Sequence, residues 1–288
     1  MQLKQNNASI FFKIIILLHS FIVIISCAEL KNKPNESLRF AIISNTYGES
    51  PYSGLSPLID AAIKQINGDN PVFLMHLGGI VCAGADWHGI SEIDINRQFR
   101  EFYSSTSRLL PILYTVKGYS DIYNNSSDLY NKYSGRKDYY SFNYGSLHFI
   151  VVDSAEISGS LSERQKNWII NDLEQSKDSR AIFVFIHNPL FAPTGYRATD
   201  YEVKLQNYII LHEYFKRYKV KAVFSGMETA FFKLNIDGIY YINAGCGGFN
   251  KIDFYKGYYQ YYVVDYKNGE LQVLPKYVTN KGATAKSY

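Results

Sequence analysis

An α/β fold shading into α+β is predicted for this chain from two patterns. Short apolar runs alternate with stretches of helical spacing through the first half. Pairs of strand-like runs separated by two turn residues fill much of the second half. The composition agrees with a packed core: 47% of residues are hydrophobic, and aromatics reach 16% through 26 Tyr and 18 Phe. A disordered chain would carry far fewer aromatics and more net charge.

Leu38–Ser44 reads as a short buried strand. In Ser56–Ile66, the residues Leu58, Ile59, Ala62, Ile63 and Ile66 fall on one helical face. Val72–Leu77 is a second strand, Ile90–Tyr103 a helix and Ile112–Val116 a third strand. This βαβαβ rhythm argues for parallel pairing. Tyr139–Tyr144 and Leu147–Val152 then flank Gly145-Ser146 as a hairpin. Ser162 and Gln165 fit a capping box, and the helix it opens turns Trp168, Ile169 and Leu173 inward. Ala181–Ile186 is a strand, Tyr208–Tyr218 a helix and Val220–Ser225 another strand. Asp237-Gly238 joins Phe231–Ile236 to Ile239–Ala244, and Asn268-Gly269 joins Tyr258–Val264 to Leu271–Leu274. The expectation is parallel units first and antiparallel ribbons later, in one domain over residues 38–277 followed by a tail, 278–288. The tyrosines at 255, 258, 259, 261 and 262 read as alternating, half-buried strand residues.

Residues 1–26 form a separate object. Lys4 and Lys13 precede any acid, and Ile14–Ile25 is apolar except for His19 and Ser20. That run is short for a helix of ~20 residues across a bilayer but suits the core of an export signal. It ends in Ile24-Ile25-Ser26-Cys27, which resembles a relaxed bacterial lipobox, so Cys27 is the expected lipidation site. Residues 27–37 read as a polar tether. The expected location is the bacterial cell envelope, outside the cytoplasm, with membrane attachment through the lipid. The net charge of +4 falls to 28 − 26 = +2 once Lys4 and Lys13 leave with the signal, so no nucleic-acid partner is expected. Three Cys are too few for a disulfide scaffold at this length. With Cys27 lipidated, Cys82 and Cys246 remain, to pair in an oxidising compartment or, the favoured reading, to stand as two buried thiols.

Tyr139–Ser154, with its run Leu-His-Phe-Ile-Val-Val-Asp-Ser, is the most distinctive stretch. Leu161-Ser-x-x-Gln165-x-x-Trp168, Phe183-Val-Phe-Ile-His-Asn-Pro-Leu-Phe191 and Lys219-Val-Lys-Ala-Val-Phe-Ser-Gly226 follow in order. On these residues the chain resembles the calcineurin-like metallophosphoesterases, in particular the purple-acid-phosphatase and cyclic-nucleotide-phosphodiesterase branches. The likeness covers nearly all of residues 38–277. It implies a four-layer αββα sandwich of two mixed β-sheets. It also implies two metal ions held by five blocks: Asp-x-His, Gly-Asp, Gly-Asn-His-Asp/Glu, a lone His and Gly-His-x-His. Such a centre activates a bridging oxygen and clamps a phosphate.

The blocks are degenerate here. Ser44-Asn45-Thr46-Tyr47-Gly48 puts Asn45 and Tyr47 where the Asp and His are implied. Leu77-Gly78-Gly79-Ile80 puts Gly79 at the metal-bridging position. In Gly118-Tyr119-Ser120-Asp121, Tyr119 and Ser120 stand for Asn and His, and Asp121 alone matches. His187 matches the lone His, and Gly226-Met227-Glu228-Thr229 offers no imidazole. Of seven implied ligand positions His187 alone is kept. Neutral amides and hydroxyls replace carboxylate and imidazole poorly, so no metal cofactor is expected.

The first expectation is therefore a non-catalytic, lipid-anchored protein of this fold. Its relic pocket would be lined by Asn45, Tyr47, Gly79, Tyr119, Ser120, His187, Met227 and Thr229, and would bind a small molecule or a protein partner. The alternative is a phosphoesterase with a rebuilt site, using His187, Ser120 or Asp121, with His187 able to hold one metal beside Asp121 or Glu228. A third reading is a surface interaction protein that uses the fold as rigid display. Asp86-Trp-His88 has an Asp-x-His look and reads as a loop pair. Gly245-Cys246-Gly247-Gly248 reads as tight packing near the pocket.

Overall fold

The computed structural model describes residues 37–48, 50–52, 54–56, 58–82, 89–155, 161–191, 193, 202–228, 230–245 and 260–278, with the backbone alone for 202–208. In chain order the strands are β1 (Leu38–Ile43), β2 (Phe73–His76), β3 (Ile112–Thr115), β4 (Tyr140–Tyr144), β5 (Leu147–Val152) and β6 (Ala181–Ile186). They continue with β7 (Ala222–Ser225), β8 (Phe231–Ile236), β9 (Ile239–Ala244), β10 (Gln260–Lys267) and β11 (Glu270–Tyr277). The helices are α1 (Ile59–Asp69), α2 (Glu92–Thr106), α3 (Asp128–Ser134), α4 (Glu163–Gln175) and α5 (Glu202–Arg217).

Two mixed sheets result. One runs β11-β10-β1-β2-β3, the other β4-β5-β6-β7-β9-β8. Strand alternation decides what each face touches. In β1, Phe40 and Ile42 point at the other sheet, while Ala41 and Ile43 point at Ala62 and Ile66 of α1. The layer between the sheets is aromatic: Phe40 stacks on Phe73 at 4.9 Å and meets Phe149, Phe183, Phe185 and Phe224 edge-on. On the far side Ile169 and Leu173 of α4, with Leu211 and Phe215 of α5, cover Ile150, Val184 and Val223. The αββα sandwich is the observed architecture.

Four differences from the sequence reading emerge. The second half is not mainly antiparallel: β5, β6, β7 and β9 are parallel neighbours, and only β4 and β8 run against them. Helices α4 and α5 supply the crossovers for the β5–β6 and β6–β7 pairs, and β8 carries the chain out to the edge and back for β7–β9. Helix α3 has no counterpart in the reading, because its seven residues are too few to show a period. The capping box at Ser162 is half present: Ser162 Oγ accepts from Gln165 N–H at 3.3 Å, but the Gln165 carboxamide bridges Asp153 N–H and C=O at 2.8 and 2.9 Å. Tyr261 and Tyr262 are fully buried rather than half-buried, and Tyr255, Tyr258 and Tyr259 lie outside the described residues. So do residues 1–36, where the signal and most of the tether are expected, and residues 279–288. Among the described residues no helix is long and apolar enough to cross a membrane.

Candidate functional site

The C-terminal ends of β1, β2, β3, β6, β7 and β9 meet at one edge of the sandwich, and the loops leaving them interlock. Leu77, Asn45 and Thr46 N–H groups donate to Ile43, Gly78 and Gly79 carbonyls at 2.7–2.9 Å, extending the β1–β2 ladder past the strands. Asn45 has φ 49°, a left-handed conformation that Asn tolerates. Its side chain crosses between the sheets, where Nδ2 donates to Gly226 O at 2.7 Å. Ser44 Oγ donates to Gly245 O beside it.

Gly79 shows what that carboxamide displaces. Its φ is +76°, and a Cβ placed on it lies 2.2 Å from Asn45 Oδ1 and 2.9 Å from Asn45 Cα. A side chain at 79 and the present Asn45 cannot both stand there. Gly118 is equally confined: a Cβ would lie 2.7 Å from Gly79 N and 2.8 Å from His187 Cε1. The His187 ring thus lies against the Gly118 backbone, and its Nδ1–H donates to Leu77 O at 2.7 Å. A carbonyl only accepts, which fixes that hydrogen on Nδ1.

Asp121 is the anchor of this edge. Its Oδ2 accepts from Gly118 N–H at 2.8 Å and Gly79 N–H at 3.0 Å, and its Oδ1 from Ile80 and Val81 N–H at 2.7 and 3.1 Å. Four backbone donors fill the acceptor sites of one carboxylate, so Asp121 ties the β2 loop to the β3 loop. Burial pushes its carboxyl up to about 6, against the pull of those four bonds. Its acceptor sites are engaged by those four backbone N–H groups.

His76 lies beneath. Its Nδ1 accepts from Gly78 N–H at 3.3 Å and its Nε2–H donates to Thr46 Oγ1 at 2.9 Å. Burial, then the neighbouring His187, lowers its pKa to about 3. Folded His76 stays neutral while the unfolded chain's His takes a proton below ~6.5, so its contribution is intact above that pH and is lost as pH falls toward 3. Asp121 acts oppositely, stabilising the fold as pH drops through 6. Relative to wild type, His76→Gln should therefore gain about 3 kcal/mol between pH 7 and pH 4. Urea titrations of both proteins at the two pH values measure this, and parallel pH profiles would refute it.

Sequence reading missed two contributors. Lys117 is 3% exposed, with Nζ 2.8 Å from Asp153 Oδ2 and 2.5 Å from Ser127 Oγ. Asp138 Oδ1 is 3.1 Å away, within ion-pair range but off the hydrogen-bonding direction. Asn243, fully buried, donates to Glu228 O and Ala230 O at 2.9 and 2.7 Å and so fixes the loop after β7. A Lys before a Gly at a strand end and an Asn inside Tyr-Ile-Asn-Ala were the available signals.

The expected pocket residues are only partly gathered. Asn45, Gly79, Asp121 and His187 are in mutual contact or share partners. Tyr47 and Ser120 are half-buried, and no hydrogen bond joins Ser120 to His187 among the described residues. Tyr119 and Met227 are 47% and 39% exposed, on loops that touch His187 through Gly118 and Gly226. Thr229, Asp86, His88, Cys246 and Cys27 lie outside the described residues. Cys82 is a free, partly buried thiol. Among the described residues, no three His, Cys, Asp or Glu side chains are grouped to hold a metal ion. Two divalent cations do not fit this set: the bridging position has no room for a side chain, and the retained carboxylate is engaged.

No family model matches the chain, and no curated protein matches it. Solved structures do. The purple acid phosphatase PPD1 of yellow lupin (Lupinus luteus) seeds superposes with a TM-score of 0.64 at 12% identity, over 87% of this chain and 53% of that one. The chain therefore spans about half the length of that phosphatase. GAP50, the anchor in the inner membrane complex of Plasmodium, superposes with a TM-score of 0.56 at 16% identity over 86% of each chain. The chain has the calcineurin-like metallophosphoesterase fold. In that metallophosphoesterase fold the loops after β1, β2, β3, β6 and β7 correspond to the five blocks read from the sequence, and here they are tied by amide, carbonyl and one carboxylate.

Proposed function

We propose that this is a non-catalytic protein of the metallophosphoesterase fold, exported and held at a membrane by lipid on Cys27, that binds a partner instead of hydrolysing phosphate esters. The Asn45 carboxamide carries this reading: it stands where a side chain on Gly79 would stand, and it is bonded to Gly226 O. Asp121 and His187 support it, since the Asp121 carboxylate takes four backbone N–H groups and the His187 Nδ1–H goes to the Leu77 carbonyl. Exposed Tyr119 and Met227 on the rim give a partner loop or small organic molecule an apolar place to rest. The described role of the Plasmodium neighbour as an anchor supplies a precedent for the fold in attachment.

Elemental analysis with turnover assays on a phosphomonoester and a phosphodiester, manganese or iron supplied, tests the reading. The expected result is far less than one metal per chain, no turnover above background and no change of Tm with chelator. Two tightly bound metals with turnover would overturn it. Lipidation is tested separately by metabolic labelling with a fatty acid, which Cys27→Ser should abolish.

A further inference from the structure

The end of the sandwich opposite the site carries a second feature. β1 begins there at Leu38, paired with Tyr266 near the end of β10, and β6, β7 and β9 begin there too. Arg180 joins the two sheets at this base, with its guanidinium 5.8 Å over the Tyr266 ring. Arg217 at the end of α5, Lys219 and Lys221 just before β7, and Lys267 at the end of β10 belong to the same end by their places in these elements. Arg217, Lys219 and Lys267 are exposed and Lys221 half-buried. None of these four makes an ion pair among the described residues, whereas Asp265, Asp237, Glu174 and Glu213 at the same end are each paired with Arg39, Lys216 or Lys177. Asp178 and Glu270 are the acids left over, so the base carries a surplus of positive charge.

The chain that leads into β1 enters at this same base. Eleven residues, 27–37, separate Cys27 from Leu38, a length that spans at most about 40 Å and about 18 Å as a flexible coil. We propose that this basic base rests on an anionic lipid surface, with Arg217, Lys219, Lys221 and Lys267 facing the headgroups, so that the Asn45–His187 edge faces away from the membrane. The proposal rests on the membrane-held reading above. A lipid on Cys27 fixes the chain to the surface without orienting the domain, and a basic patch adds electrostatic attraction to anionic lipids. Each cation near such a surface multiplies binding about fivefold, and salt removes the effect.

Vesicle sedimentation of the full chain tests it, with phosphatidylcholine vesicles compared with vesicles containing phosphatidylglycerol. The apolar leader binds both, so the ratio of the two affinities is the readout. Wild type should prefer the anionic vesicles at least tenfold at 0.1 M salt and lose the preference at 0.5 M. The variant Arg217→Gln/Lys219→Gln/Lys267→Gln should lose most of it, while Arg164→Gln at the opposite end of α4 should keep it. Equal partition of wild type between the vesicles overturns the proposal, and needs no variant to fold. If fatty-acid labelling of Cys27 fails while the anionic preference persists, the anchor reading falls and the docking face stands.

Discussion

Replacing Gly79 with Asp is expected to leave most of the chain unfolded, with no gain of metal. The substitution restores the residue that the fold resemblance implies, but the position can no longer take it. A non-glycine residue at φ +76° costs about 1–2 kcal/mol. The new Cβ would stand 2.2 Å from Asn45 Oδ1 and 2.9 Å from Asn45 Cα. The carboxamide could rotate away, but the Cα is held by the Asn45 N–H bond to Gly78 O at 2.9 Å. Forced overlap in a packed site costs about 1–3 kcal/mol. Rotating Asn45 also strands the buried Gly226 carbonyl, for a further 1–3 kcal/mol or so. Together these approach the ~5–15 kcal/mol total stability of a domain. Circular dichroism melting and soluble yield measure the outcome. Gly79→Ala isolates the steric and backbone part and should fall between wild type and Gly79→Asp. Adding Asn45→Gly to Gly79→Asp should recover part of the loss. A Gly79→Asp protein that melts within a few degrees of wild type would show that Asn45 yields freely, and the account of Asn45 occupying the space beside Gly79 would fail.

The legible and illegible parts of this molecule divide along a physical line. Among the described residues, the eleven strands and four of the five helices were visible because burial imposes a period on side chains, as in Phe40, Ile42 against Ala41, Ile43. The order of the second sheet was less visible. Whether β5, β6, β7 and β9 run parallel depends on where α4 and α5 carry the chain, which local pattern does not encode. At the site, the absence of ligands could be read directly, residue by residue. What fills their place could not. The contact of Asn45 with Gly226 spans 181 residues, and Asp121 reaches back to Gly79 across 42. Asp121 reads in the sequence only as a candidate for a rebuilt site, because a carboxylate in sequence carries no mark of its partners. Its four backbone donors exist only once the β2 and β3 loops lie side by side.

Lys117→Met should cost about 3–5 kcal/mol at neutral pH, the usual penalty for stranding one member of a buried ion pair. Lys117 and Asp153 are almost wholly buried side chains, 3% and 4% exposed. Burial raises the Asp153 carboxyl, and the Lys117 ammonium is the main force pulling it back down. Met keeps the volume of the alkyl stem and removes the charge, so the carboxyl rises further. A folded-state pKa raised in this way adds stability at low pH and withdraws it as pH climbs through the raised value. The gap between wild type and variant should accordingly be wider at pH 8 than at pH 5. Adding Asp153→Asn to Lys117→Met removes the stranded charge and should recover much of the loss. Denaturant titrations at the two pH values decide the matter, and a small, pH-independent effect would show that Lys117 is not the counter-charge. The pair also bears on the site, because Lys117 directly precedes Gly118 in the loop that Asp121 fastens to Gly79. Loosening Lys117 frees that loop from below, so the variant should lose backbone amide protection at Gly118 and Gly79 before it unfolds as a whole.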